Sequence, residues 1–194
     1  MTKPYDPLDY ANLAKSIVGA LLEKAPTSIP HASSFDGTGV YALYYTGELD
    51  FYGPIASGEC ERPIYVGKAI PAGGRRGTTV QGSGNALCRR LIEHGKSIDA
   101  ASNLDRADFL CRYLVVMPVW ISLAERFLIV HFRPVWNVLL DGFGNHPPGR
   151  GRSTMRRPLW DIVHPGRPWA DDLRSEKTAE AVIAEIRRFL APPT

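Results

Sequence analysis

Apolar positions fall at helical spacing in several stretches of this chain, and between those stretches they crowd into short β-type runs. Near the start, Leu13, Ile17 and Leu21, with Val18 and Leu22, form one stripe at i, i+4 spacing. Asp6 is placed to cap that helix and Pro7 suits its first turn; it should end near Lys24, before Pro26. The run VYALYYT, residues 40–46, is rich in β-branched and aromatic residues and predicts a strand, as does PIYVGKA at 63–69. Alternation places Tyr41 and Leu43 on one face of the first strand, with Val40, Ala42 and Tyr44 on the other. Helical periodicity returns over 86–98, where Leu87, Leu91 and Ile98 point inward. Residues 107–117 predict a third strand, and a helix runs from Pro118 to about His131, stopped by Arg133-Pro134. A last amphipathic helix covers 178–190, with Ala179, Val182, Ile183, Ile186 and Leu190 as its apolar face. The segment DGFGNHPPGRGRSTMRRP is too rich in Gly, Pro and Arg for regular structure. The order β-β-α-β-α, flanked by helices, predicts an α+β (α/β) domain with a small mixed sheet.

Composition adds only limits. In 194 residues, 44% are hydrophobic and 22% charged, enough apolar material for a real core. No stretch approaches the roughly 20 apolar residues of a membrane span, and no apolar run follows a basic start, so a cytoplasmic protein is expected. Cys60, Cys88 and Cys111 are widely spaced and form no CxxC pair, which predicts reduced thiols rather than disulfides or zinc. The net charge of +3 says little. Its distribution says more: Arg150, Arg152, Arg156, Arg157 and Arg167 follow Gly142 with Asp161 as the one acid among them. Such a cluster suits phosphate contacts, and it equally suits a solvated surface loop.

Arg90 and His94 stand four residues apart on one predicted helix, at the edge of its buried stripe. A guanidinium that grips phosphate beside an imidazole that moves a proton is half of a phosphodiesterase site, although such a pair is also an ordinary surface feature. Glu125 shares a helix face with Ile121, Leu128 and Phe132, where a carboxylate is costly unless a cation or donors satisfy it. A bound Mg²⁺ would do so, and so would an arginine partner. Tyr41 and Tyr65, with Lys68 just beyond, lie in the first two strands, where buried tyrosines are common core residues.

Gly39-Val40-Tyr41, then Tyr65-Val66-Gly67-Lys68, then Arg90 and His94, then Glu125, then Asn137, in that order, resembles the GIY-YIG nuclease superfamily over about residues 38–140. Both triplets carry Val where the family name has Ile. The segments GVYALYYTG, PIYVGKAIPAG, EHG, SNLD, RPVWN, DGFGNHPPGRGR and WDIVHPGRPWA extend the resemblance to its type II restriction endonuclease branch. The resemblance implies one endonuclease domain over 1–194: a nuclease core, an N-terminal helical arm at 1–30, and a C-terminal basic loop and helix at 141–194.

It further implies double-stranded DNA as substrate, a homodimer, the target CCGCGG, and a cognate DNA methyltransferase in the same system that is not a stable partner. Tyr41, Tyr65, Lys68, Arg90, His94, Glu125 and Asn137 would line the active site, with Glu125 holding a single Mg²⁺. Either Tyr41 or His94 would be the base, and Tyr65 and Lys68 would orient the water or lower the Tyr41 pKa. Asn137 would steady Glu125 or a strand end. Base and phosphate contacts would come from Arg75, Arg76, Gln81 and Asn85, and from His146, Arg150, Arg152, Arg156 and Arg157. The helices at 8–24 and 178–190 would offer apolar faces to a dimer partner. Two rivals stay open: a monomeric structure-specific GIY-YIG nickase, and a catalytically silent DNA-binding protein on the same fold.

Overall fold

The computed structural model describes residues 9–70, 84–145 and 156–192. Strand β2 (Gly39–Tyr45) is the centre of the molecule. It pairs on one side with β3 (Tyr65–Ala69) and on the other with β4 (Phe109–Val115). The two-residue β1 (Thr27–Ser28) adds to the far edge of β4, giving the order β1-β4-β2-β3. Every pair is antiparallel, so the fold class is α+β as expected but the sheet is not mixed. Between β2 and β3 the chain forms the 3-10 turn at Asp50–Ile55 and no α-helical crossover, which suits antiparallel pairing.

All seven residues of β2 are buried, because both faces of the sheet are covered. Val40, Ala42, Tyr44 and Val66 face one core, closed by Val18 and Leu21 of α1 (Tyr10–Leu22) and by Ile121, Ala124 and Leu128 of α3 (Ile121–Phe132). Tyr41, Leu43 and Tyr45 face the other core, where Leu87, Leu91 and Ile98 of α2 (Ala86–Ala100) meet Trp136, Trp160 and Ile186. This is the split that alternation predicts. Burial of one such large apolar side chain stabilises the fold by about 1.5–3 kcal/mol.

Helix ends follow local chemistry. Asp9 caps α1 by accepting from the Ala11 N–H, whereas Asp6 and Pro7 lie outside the described residues. Helix α3 ends at Arg133 in a left-handed conformation, φ 48°, and Pro134 prevents its continuation. Thr178 caps α7 (Ala179–Leu190) by accepting from Ala181. The apolar face of α7 is not free for a partner: Val182, Ile186 and Leu190 are buried in the second core. Short elements escape the pattern reading altogether. The 3-10 turn at Asp50–Ile55 and the helices α4 (Val135–Val138), α5 (Leu159–Val163) and α6 (Pro168–Asp171) are too brief to show a period. Among the described residues, no helix is long and apolar enough to cross a membrane.

Candidate active site

The register of β2 on β3 sets Tyr41 opposite Gly67 and Leu43 opposite Tyr65. A Cβ at Gly67 would overlap the Tyr41 hydroxyl, so the glycine makes the seat in which that phenol lies. Helix α2 crosses the same face and brings His94 Nε2 to 2.6 Å from the Tyr41 hydroxyl. The imidazole, 1% exposed, lies flat on the Phe143 ring (centroids 4.5 Å apart, planes 14° apart) and edge-on to Tyr65. Tyr41, Tyr65 and His94 thus form one aromatic cluster with a hydrogen bond at its centre.

Burial pushes the Tyr41 phenol well above its ordinary value of 10.0, and the charges of Tyr65 and Glu125 add to that while Arg90 opposes it. Tyr65 is raised for the same leading reason, with Arg90 again opposing and Glu125 adding. The expectation of a lowered Tyr41 pKa is therefore reversed, and Tyr65 is among the groups that raise it. Desolvation of a phenolate in a nearly closed aromatic site outweighs the one neighbouring guanidinium.

Arg90, one turn before His94, donates through Nη1 to Glu93 Oε2 at 2.9 Å and through Nη2 to the Gly144 carbonyl at 3.1 Å. Gly144 is packed against the site: a Cβ there would lie 2.9 Å from Arg90 Nη2 and 3.3 Å from the Tyr65 hydroxyl. The 141–145 segment carries no periodicity in sequence, so nothing local marks Phe143 and Gly144 as part of the site. Glu93 has a local signal, since three residues after Arg90 it lies on the same helix face.

Glu125 and Lys68 occupy the opposite face of β3, as alternation from Tyr65 and Gly67 requires. Their side chains meet at 2.7 Å, and Lys68 also donates to Ser122 at 3.3 Å. Lys68 therefore answers the question of what satisfies Glu125 in the protein alone. The carboxylate remains close enough to both tyrosines for its charge to act on them. A hard oxygen donor that is 22% exposed fits a divalent cation that keeps most of its waters. Among the described residues no group of three or more His, Cys, Asp or Glu could hold a metal.

The Asn137 side chain is held by β3. Its amide pairs with the backbone of Val66, accepting from the N–H at 2.7 Å and donating to the carbonyl at 2.8 Å. The Trp136 N–H donates to Ile64 one step along, at 3.0 Å. The 136–137 segment thus closes the outer edge of β3, between the residues that carry Tyr65 and Lys68. Of the two roles expected for Asn137, holding a strand end is the one the geometry matches.

The residues expected to contact DNA divide into two groups. Arg75, Arg76, Gln81, His146, Arg150 and Arg152 lie outside the described residues. Asn85 stands at the start of α2 and donates to Ser33 Oγ at 3.0 Å. Arg156 pairs with Glu176 at 2.5 Å, and Arg157 pairs with Asp171 at 2.6 Å. Arg167, counted above in the positive cluster, is 4% exposed and bound to the fully buried Asp161. Among the described residues of the basic stretch, Arg156, Arg157 and Arg167 are thus each paired with a carboxylate.

The family model of the Eco29kI GIY-YIG domain matches residues 33–190, and the chain belongs to that family of type II restriction endonucleases. It is accordingly a DNA endonuclease. GIY-YIG nucleases generally use divalent metal ions. No curated protein sequence matches the chain.

Proposed function

We propose that this protein is a homodimeric type II restriction endonuclease that cuts double-stranded DNA at CCGCGG with one Mg²⁺ per active site, the whole chain forming one nuclease domain. The observation that carries the catalytic reading is the 2.6 Å contact between the Tyr41 hydroxyl and His94 Nε2, one helical turn from Arg90. Because the buried phenol keeps its proton, Tyr41 works as a relay and His94 as the final acceptor. As water attacks the phosphorus, its proton passes to the Tyr41 oxygen while the Tyr41 proton moves to Nε2. Arg90 turns its N–H donors to a non-bridging phosphate oxygen and stabilises the added charge of the transition state. Glu125 would hold the ion, whose bound charge would neutralise the scissile phosphate and ease departure of the leaving oxygen. Lys68 is displaced from Glu125 toward the same phosphate, and Asn137 keeps the β3 edge in register. The dimer and the CCGCGG site are supported by resemblance to the restriction branch; exposed Val115, Met117, Val119 and Trp120 offer apolar surface of the kind interfaces use.

Digestion of a long unmethylated DNA with Mg²⁺, against an EDTA control, tests the whole reading. Discrete metal-dependent fragments with ends at CCGCGG are expected; fragments ending at another motif would remove the assigned site. Glu125→Ala should abolish cleavage and leave DNA retardation on a gel intact. Nicks confined to branches would favour a structure-specific nickase, and retarded but uncut DNA with the unmutated protein would favour a silent binder.

A further inference from the structure

Arg167 is buried at the end of the segment WDIVHPGR, 73 positions from His94 in the chain, yet it governs the residues that touch the active site. A guanidinium has five N–H donors, and each of the five has an acceptor here. Nε and one Nη2 hydrogen reach the two oxygens of Asp161, at 2.6 and 2.5 Å. The other Nη2 hydrogen goes to the Gly142 carbonyl at 2.9 Å. Nη1 serves the carbonyls of Phe143 and Asn145, at 3.2 and 3.4 Å. The rings of Trp160 and Trp169 lie against the guanidinium, 4.5 and 4.8 Å away. Nothing in this arrangement is left over for a phosphate. Three carbonyl contacts, to Gly142, Phe143 and Asn145, instead hold the 142–145 turn from behind.

The front of that turn is in the active site. Phe143 carries the ring on which His94 lies, and the Gly144 carbonyl accepts from Arg90 Nη2. Arg90, His94, Phe143, Gly144, Arg167 and Trp169 line one cavity of about 280 Å³ beside α2. We propose that the Asp161–Arg167 pair is a positioning device for catalysis: it fixes the 142–145 turn, and the turn fixes the His94 ring and the Arg90 fork. Asp161 holds the guanidinium in plane, Arg167 sets the carbonyls, and the turn presents one aromatic face and one acceptor to α2. The inference rests on the endonuclease reading for its catalytic half, while its structural half stands without it.

The test compares the full-length protein with Arg167→Lys, which has too few donors for five acceptors, and with Asp161→Leu combined with Arg167→Met, which leaves no buried charge. Histidine is isotopically labelled, and the His94 Cε1–H resonance is assigned by its loss in His94→Gln. Stacking on Phe143 should displace that resonance upfield in the unmutated protein. Both variants should move it toward the unstacked position while the exposed His131 resonance stays in place. Single-turnover cleavage should fall on the order of 10–100-fold, as misplacement of reacting groups costs, with DNA affinity unchanged. Either variant, folded and with an unmoved His94 resonance, overturns the proposal; a moved resonance with an unmodified cleavage rate overturns its catalytic half. If the unmutated protein does not cleave DNA, the endonuclease reading falls, and the resonance still decides whether Arg167 sets the ring.

Discussion

At the scale of single residues, the pair to watch is Tyr41 and His94. A tyrosine acting alone as base would require a phenolate, and burial opposes that state in this site. In the relay proposed above, the 2.6 Å hydrogen bond removes the requirement, since the proton would leave Tyr41 only as another arrives. Tyr41→Phe keeps the ring and its packing but deletes the relay, so cleavage should drop by about 10²–10⁴-fold, the range of general acid–base contributions. Thermal unfolding and DNA retardation should stay near those of the unmutated protein. A Tyr41→Phe protein that cuts DNA at an undiminished rate would remove the relay from the mechanism. The residue types involved were readable from the chain, because the GIY-YIG order of Tyr41, Tyr65, Arg90, His94, Glu125 and Asn137 is a sequence feature. Their division of labour was not: whether Glu125 meets Lys68 or Asn137 meets Val66 depends on contacts 57 and 71 positions apart.

At the scale of elements, a relay of neutral groups, buried but for Asn103, ties the short helices to one another. Trp136 Nε1 donates to the Tyr52 oxygen at 2.7 Å, and the Tyr52 hydroxyl donates to His164 Nε2 at 2.8 Å. His164 Nδ1–H then donates to Asn103 Oδ1 at 3.0 Å, and the Asn103 amide donates to the Val163 carbonyl at 2.9 Å. This network joins α4, the 50–55 turn and α5, elements too short to be stable on their own. Burial, reinforced by the charge of Arg167, depresses the His164 pKa from 6.5 to about 3. The unfolded chain therefore binds a proton that the folded protein refuses across that window. Stability from this group is full above pH 6.5 and declines as pH falls toward 3, by about 1.4 kcal/mol per unit in mid-window. Urea unfolding at pH 7, 5 and 4 should show the decline, and His164→Gln, which cannot titrate, should lose stability less steeply over the same range. Parallel curves for the two proteins would mean that His164 is not held neutral by the fold.

At the scale of the whole molecule, the proposed dimer is what would link fold to target. A palindromic site is matched by a twofold dimer, each subunit presenting one active site to one strand. Sedimentation equilibrium should therefore give a mass near twice 21.4 kDa at working concentrations. A mass near 21.4 kDa under cleavage conditions would sink the dimer and the simple symmetry argument for a palindrome. Of the two helices with apolar faces, α7 uses its face inside the chain. On α1, Val18 and Leu21 are buried, but Leu13 and Ile17 line a groove with Met117 and Trp120.

The long elements and the two-faced core were determined by the chain itself. Their cause is local: a period of two or 3.6 in apolar residues requires one conformation to bury them, and VYALYY can hide all its side chains only at the centre of a covered sheet. The order of chemical residues was equally legible, since it needs no coordinates. Tertiary structure decided the rest. It closed the sheet antiparallel throughout, kept the Tyr41 proton in place by burial, and paired Arg156 and Arg157 with Glu176 and Asp171, 20 and 14 positions further on. It also placed the 142–145 turn, irregular in sequence, against His94 and Arg90. Such contacts depend on residues far apart in the chain and on desolvation that exists only once both faces of the sheet are covered. No local pattern encodes them.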